Sequence, residues 1–248
     1  AHAAQKGHIA SAFSIVDIVW ALYDDVMLKD DVFVLSKGHG CLALYAVLAE
    51  KGLITNDQLM SFAQHGSILG GHPDRNKVPG VVASTGSLGH GLPMAVGIAL
   101  AKKIKKEQGR VFCLVGDGEL NEGSCWESLL LAPQHKLSNL SVIVDYNRST
   151  DKSLDLKDLG KKFSAFDFVC YNGIECDLPF GSKEPSSLLM SLRHGMRGIM
   201  PEDKPVSVIV KTIKGGGCKR MEEDNSWHHR APNDQELKEI LEELCENS

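Results

Sequence analysis

The sequence is poor in the signals that mark several large classes of protein. It contains no run of eighteen apolar residues, so no segment is long enough to cross a bilayer as a helix, and no charged-then-apolar leader opens it. Its seven cysteines are odd in number, include no Cys-x-x-Cys pair, and sit in apolar or helical contexts such as Cys41 and Cys113. That usage argues against a disulfide frame and predicts reduced thiols in a cytoplasmic compartment. A basic stripe is also missing. The formal net charge is −5, which offers no electrostatic footprint for nucleic acid or for an anionic membrane. Any anionic ligand must therefore be held by a local site. No initiating methionine is present either, and because the chain opens at Ala1 in a helix-like stretch, a few residues are expected to precede it.

What is present is a chain of 248 residues, 43% hydrophobic and 24% charged, with 24 glycines. It is long enough to bury a sizeable core as one α/β domain spanning residues 1–248. The organising stretch is Val111-Phe-Cys-Leu-Val115, then Gly116-Asp-Gly-Glu-Leu-Asn-Glu-Gly123, a helical run to about Lys136, and Leu140-Ser-Val-Ile-Val-Asp-Tyr-Asn147. Two apolar runs of strand length around a helix predict a strand-turn-helix-strand unit, with Asp117 and Asn147 at the same ends of neighbouring parallel strands. Open α/β sheets bind ligands at the carboxyl ends of their strands, and a helix beginning just past Gly118 would add oriented amides for an anion. A carboxylate from Asp117, the side-chain oxygen of Asn147 and a nearby carbonyl are hard donors, suited to Mg2+ or Ca2+ holding a diphosphate.

Histidines and glycines gather at the other turns. Gly7-His8 precedes a helix starting near Ser11 or Ser14, and a strand at residues 31–35 runs into Ser36-Lys-Gly-His39 and a helix over 41–50 that stops at Gly52. Asn56 and Asp57 read as caps for a helix at 58–63. Gly70-Gly-His72-Pro-Asp has paired glycines followed by proline and must be a loop. Ser84-Thr-Gly86-Ser87-Leu88-Gly-His90-Gly91 leads into a helix at 92–106, whose lysines 102, 103, 105 and 106 form a solvated end complementing the dipole. The glycines of that loop let backbone approach a ligand closely, and their spacing is in the wrong order for a Gly-x-Gly-x-x-Gly dinucleotide loop. After Asn147 the pattern predicts a helix over 155–168, a strand at 168–171, an irregular loop at 177–183, a helix at 186–197 and a buried strand at 205–212. Lys214-Gly-Gly-Gly-Cys218 opens a marked loop, residues 214–232, containing Met221-Glu-Glu-Asp-Asn-Ser-Trp-His228, and an amphipathic helix follows at 233–246.

In this order and spacing, the elements resemble transketolase over nearly the whole chain. Gly-Asp-Gly followed by Asn147 is similar to the diphosphate and metal motif of thiamine diphosphate enzymes, and Met-Glu-x-x-x-x-Trp-His to a transketolase site loop. The fold this implies is α/β, a doubly wound parallel sheet with helices on both faces, corresponding to the diphosphate-binding domain. The resemblance implies that His8, His72 and His228 act on substrate, with His228, not its neighbour His229, also reaching the diphosphate. It implies that His39, Gly116, Asp117, Gly118, Glu119 and Asn147 surround the diphosphate, while Gly86, Ser87 and Leu88 offer backbone to the aminopyrimidine ring. The implied metal ligands are Asp117, Asn147 and the carbonyl of Ser149. Glu122, expected about one turn inside its helix, matches a glutamate at the subunit interface. The sequence departs from the family at Ser87, where many transketolases have proline, at His90, where many have glutamine, and in Asn147-Arg-Ser-Thr-Asp-Lys, which stands for Asn-Lys-x-x-Ile-Asp-Gly in a loop one residue shorter.

The implied activity is transfer of a two-carbon ketol unit from a ketose, expected to be phosphorylated, to an aldose. The alternatives are another thiamine diphosphate enzyme forming C–C bonds, such as a deoxyxylulose phosphate synthase, or a cofactor-binding paralogue without turnover. The family's pyrimidine-binding domain is not found in these residues. The expectation is therefore an N-terminal subunit of a split transketolase, working with a separate C-terminal subunit of roughly 300 residues, two domains of ordinary length, as a dimer of heterodimers.

Overall fold

The computed structural model describes residues 1–151, 153–176, 192–193, 203–222 and 224–246. The loop expected at 177–183 lies outside these residues, as does the helix expected at 186–197 apart from residues 192–193. Strands β1 (Val32–Leu35), β2 (Val111–Gly116), β3 (Leu140–Tyr146), β4 (Val169–Glu175) and β5 (Val206–Lys211) form a parallel sheet in the order β1-β2-β3-β5-β4. The helices are α1 (Ile9–Phe13), α2 (Val16–Ala21), α3 (Cys41–Glu50), α4 (Asn56–Met60), α5 (Gly91–Lys105), α6 (Gly123–Gln134), α7 (Leu159–Ala165) and a last helix, Asp234–Glu246.

Side chains alternate across each strand, so both faces can be buried at once. Phe112 and Leu114 of β2, Ile143 of β3 and Val208 of β5 pack with α2 and α3, whereas Cys113, Val115, Val142 and Ile209 pack with α5, α6 and α7. Helices thus cover both faces, as expected of an α/β parallel sheet, and two-sided burial is why its strands read as unbroken apolar runs. Asp145 interrupts the run in β3 and is 0% exposed. A one-residue slip of β3 would carry that carboxylate into the opposite apolar layer without partners, so its charge pins the register.

Several local expectations are corrected. The helix expected from Ser11 or Ser14 is two short helices, because Ser14 Oγ donates to the Ser11 carbonyl and to Asp145, and the backbone turns at Ile15 before α2 begins. The cap of α4 is Thr55, in a reciprocal capping box with Gln58, rather than Asn56 or Asp57. Glu122 is the residue before α6, with φ −78° and ψ 126°, not a turn inside it. A 3-10 turn at Gly118–Asn121 intervenes, held by Glu119 and by Trp126 Nε1 donating to the Leu120 carbonyl at 2.7 Å. Finally, α7 covers less than 155–168: Asp158 caps it, and Asp167, at φ 63°, turns the chain into β4.

Candidate active site

The carboxyl ends of β1, β2, β3 and β5 deliver a buried polar corner. Gly116 is level with Asp145 across the β2–β3 pair, so Asp117 and Asn147 emerge beside each other. Asp117 is 3% exposed and bridges the two strand ends, accepting from Gly118 N at 2.7 Å and from Arg148 N at 2.6 Å. Burial, with the Asp145 charge adding to it, raises its carboxyl to about 6. Asp145 in turn accepts from Lys37 Nζ, Thr212 Oγ1, Ser14 Oγ at 3.3 Å and Asn147 Nδ2 at 2.9 Å. The amide of Asn147 is thereby oriented, and its Oδ1 accepts from Ser149 N at 3.0 Å with a lone pair to spare.

Glu119 behaves differently from its neighbours. It is 1% exposed, and its oxygens accept from Ser36 Oγ at 2.5 Å, Gly89 N at 3.0 Å and Gly116 N at 3.3 Å. Its carboxylate ties the end of β1, the glycine loop and the end of β2 into one piece. The glycine loop is also shaped by close approach: at Gly86, φ +153°, a Cβ would stand 2.9 Å from the ring of His72. Ser87 is exposed, Leu88 is half-buried with its carbonyl 3.1 Å from His90 Nδ1, and a Cβ at Gly118 would meet Thr150 at 2.8 Å.

Imidazoles gather above this corner, centred on His8. Its ring centroid lies 5.3 Å from His39, 6.5 Å from His72, 5.6 Å from His228 and 4.5 Å from His229. Segments at both ends of the chain supply them, since the 214–232 loop packs on α1 through Gly215 N donating to the Ala10 carbonyl at 3.0 Å. Burial, then the neighbouring imidazoles and Lys214, lower His8 to about 4, so it is neutral near pH 7. Burial and the Lys37 charge lower His39 to about 2. Lys214 Nζ stands 2.8 Å from His228 Nδ1. An ammonium there donates, leaving the proton of a neutral His228 on Nε2. Burial and Lys37 push the Lys214 ammonium down, and burial and Lys214 do the same to His228.

His8, His39, His72 and His228 thus fall in one cluster, and Asp117, Asn147 and Ser149 fall in the adjoining corner. Sequence reasoning missed Lys37, Asp145, Thr212, Lys214 and His229. Asp145 had a signal, being the one acid inside an apolar strand, and Lys37 stood within the Ser-Lys-Gly-His turn already marked. The surroundings fit a metal-held diphosphate. The Lys37 and Lys214 side chains crowd the neutral imidazoles and disfavour added positive charge until an anion arrives, while the raised Asp117 carboxyl is what a cation would relieve. Among the described residues no group of three or more His, Cys, Asp or Glu gathers to hold a metal. A cation at Asp117 would therefore draw on amide, carbonyl and diphosphate oxygens, the hard donors that Mg2+ and Ca2+ prefer.

Comparison with known proteins gives the family. The family described as "Transketolase, thiamine diphosphate binding domain" matches residues 1–247. The chain is 38% identical to an apulose-4-phosphate transketolase subunit of Actinobacillus succinogenes, over 96% of its own length and 87% of that protein. It is 30% identical to "6-deoxy-6-sulfo-D-fructose transketolase subunit SqwG" of Clostridium sp., over 96% of this chain and 88% of that one. Transketolase from Leishmania mexicana superposes with a TM-score of 0.85 at 28% identity, covering 98% of this chain and 38% of the longer one. The chain therefore belongs to the transketolase family, as a member of its thiamine diphosphate-binding domain.

Proposed function

We propose that this chain is the diphosphate-binding subunit of a transketolase, transferring a two-carbon ketol unit from a ketose to an aldose together with a separate subunit that carries the pyrimidine-binding domain. The observation that carries this reading is the convergence of His39, His72 and His228 around His8, directly beside the Asp117–Asn147 corner. Support for a split assembly comes from relatives named as subunits that this chain matches over most of their length. Their names carry a phosphate on one sugar and a sulfo group on the other, which supports a substrate with an anionic end. These relatives do not favour the synthase or the inactive-paralogue alternative.

Thiamine diphosphate, when bound, supplies the electron sink that lets a bond next to a carbonyl break and re-form. Asp117, the Asn147 side chain and the Ser149 carbonyl would hold its Mg2+ or Ca2+. Lys214, His39 and His228 would face the diphosphate, and the backbone of Gly86, Ser87 and Leu88 the aminopyrimidine. Glu119 contributes by fixing the loops rather than through a free carboxylate. His8 is neutral at pH 7 and can accept or donate one proton at a substrate hydroxyl, and His228 presents an Nε2 proton to a developing oxyanion. His72, held over Gly86, is placed for the same work on the acceptor. We further propose a cytoplasmic, reduced-thiol setting on the cysteine usage, and a dimer of heterodimers. The test is steady-state turnover with ketose and aldose panels, Mg2+ and cofactor, in the presence of the partner subunit. Ketol transfer is expected, and its absence from a fully assembled complex across the panel would sink the reading.

A further inference from the structure

Adjacent imidazoles follow Trp227, and they face different surroundings. His228 has its Nδ1 on Lys214, whereas His229 brings its ring within 4.5 Å of His8, closer than His228 at 5.6 Å. His229 also lines a cavity of about 350 Å³ together with Lys6, His8, Gln64, Ser67 and His72. His39 and His228 are not among its lining residues, so this space lies on the substrate side of the imidazole cluster rather than over the diphosphate.

The chemistry of the wall says what it can take. Its polar side chains are an ammonium, imidazoles, an amide and a hydroxyl, and none of its lining residues is a carboxylate. Such a set donates hydrogen bonds and tolerates negative charge, which suits a short polyhydroxylated chain ending in a tetrahedral oxyanion. The volume is that of a small-molecule pocket, too small for a macromolecular segment. His229 is exposed, so packing does not account for its ring standing against His8. Resting on the function proposed above, we propose that His229 is a specificity-determining residue that contacts the sugar: with Lys6 it receives the oxyanion end of a substrate whose reacting carbon lies toward His8 and His72.

The test uses the assembled enzyme with His229→Ala and His229→Glu, and aldose acceptors of matched length that end in a hydroxyl, a phosphate or a sulfonate. His229→Glu is expected to raise KM for the anionic acceptors by about tenfold or more and to leave KM for the neutral acceptor within about threefold, with kcat compared at the plateau of each variant's pH profile because the new carboxylate also faces His8; His229→Ala should fall between. Phosphate affected without sulfonate would assign the site to phosphate esters, and the reverse to sulfonates. Equal changes for neutral and anionic acceptors, or no change, would overturn the proposal. A second measurement needs no turnover: the 15N-histidine-labelled chain is titrated with ribose 5-phosphate and with ribose, following imidazole resonances. Saturable shifts at His229 and His8 with the ester, weaker with ribose, are expected, with the His8 shift abolished in His229→Glu; unmoved signals at millimolar ester would overturn the site. Shifts present in a chain whose assembled form transfers no ketol unit would sink the function and leave the oxyanion site standing.

Discussion

Lys37 and Asp145 form an ion pair whose side chains are 3% and 0% exposed, joining the turn after β1 to the end of β3. Two charges so far from water cost more to desolvate than one contact returns, and the pair survives because Ser14, Asn147 and Thr212 also satisfy the carboxylate. Its consequence is geometric. The pair fixes Lys37 and Asn147 beside Asp145 at the corner proposed to take the diphosphate.

Removing one partner should therefore be costly. Lys37→Met leaves the Asp145 charge buried among neutral donors, and we expect a loss of about 3–5 kcal/mol in unfolding free energy. Lys37→Met with Asp145→Asn should recover part of it, since the uncompensated charge is gone. Urea denaturation of both variants decides the matter. A single-variant loss below about 1 kcal/mol, the level of an exposed pair, would show that the contact does not hold the corner together.

The sheet was legible because its strands are buried on both faces and advertise it as apolar runs. The candidate site was legible in its histidines and glycines, which stand at turns where regular structure cannot continue. What stayed hidden is long-range. Nothing local in Lys37 tells that it meets Asp145, or that Glu119 is consumed by Ser36, Gly89 and Gly116 instead of facing an open cleft. His229 was passed over because sequence similarity weighs the Trp-His pair, while the ring contact with His8 exists only in the folded loop.

Asp117 gives a pH dependence with a definite sign. Its carboxyl is raised to about 6 by burial and by Asp145. In the cofactor-free protein, the folded state holds this proton more tightly than the unfolded chain. Its contribution to stability therefore declines as pH rises from about 4 to about 6 and is level above that. A divalent cation needs the ionised form. Calorimetric affinity of the assembled enzyme for cofactor plus Mg2+ should accordingly weaken as pH falls through 6, by about tenfold per unit below it, and Asp117→Ala should abolish the Mg2+ dependence. Flat affinity between pH 7.5 and 5, as conditions set for the assay, or unchanged affinity in the variant would remove Asp117 from the metal site.

His39 carries the opposite sign. Burial and Lys37 depress it to about 2 from an ordinary value near 6.5, so the unfolded chain takes up a proton that the folded one refuses. Stability from this group is full above 6.5 and is lost as pH falls, by at most about 2 kcal/mol at pH 5. In the cofactor-free protein, the drop in unfolding free energy between pH 7 and 5 should be smaller by that amount in His39→Gln. Identical drops would mean that His39 is not held neutral.

The substrate-side imidazoles should separate binding from chemistry. His72→Ala and His228→Ala are each expected to lower turnover by roughly a hundredfold or more, as for positioned acid-base groups, with the fold kept in both and cofactor affinity kept in His72→Ala. Both side chains are exposed, so the fold does not depend on them. Full turnover in His72→Ala with several acceptors would take it out of the mechanism.

The last prediction concerns the open side of the cleft. His72, His228 and His229 are all exposed, and so is Ser87 of the loop expected to meet the aminopyrimidine. A site in this state binds from the diphosphate end alone and cannot keep water from a reactive intermediate. If the assembly is split as proposed, the chain by itself should give no ketol transfer even with excess Mg2+ and cofactor, and adding the subunit with the pyrimidine-binding domain should restore it. Cofactor affinity should tighten in the same mixing experiment, because the second wall contributes contacts without further ordering of this one. Titrating the partner at fixed chain concentration should bring activity to a plateau at one-to-one stoichiometry, as closed two-fold assemblies of heterodimers require. Sustained turnover by the chain alone, at a purity that excludes a host transketolase, would refute the split reading.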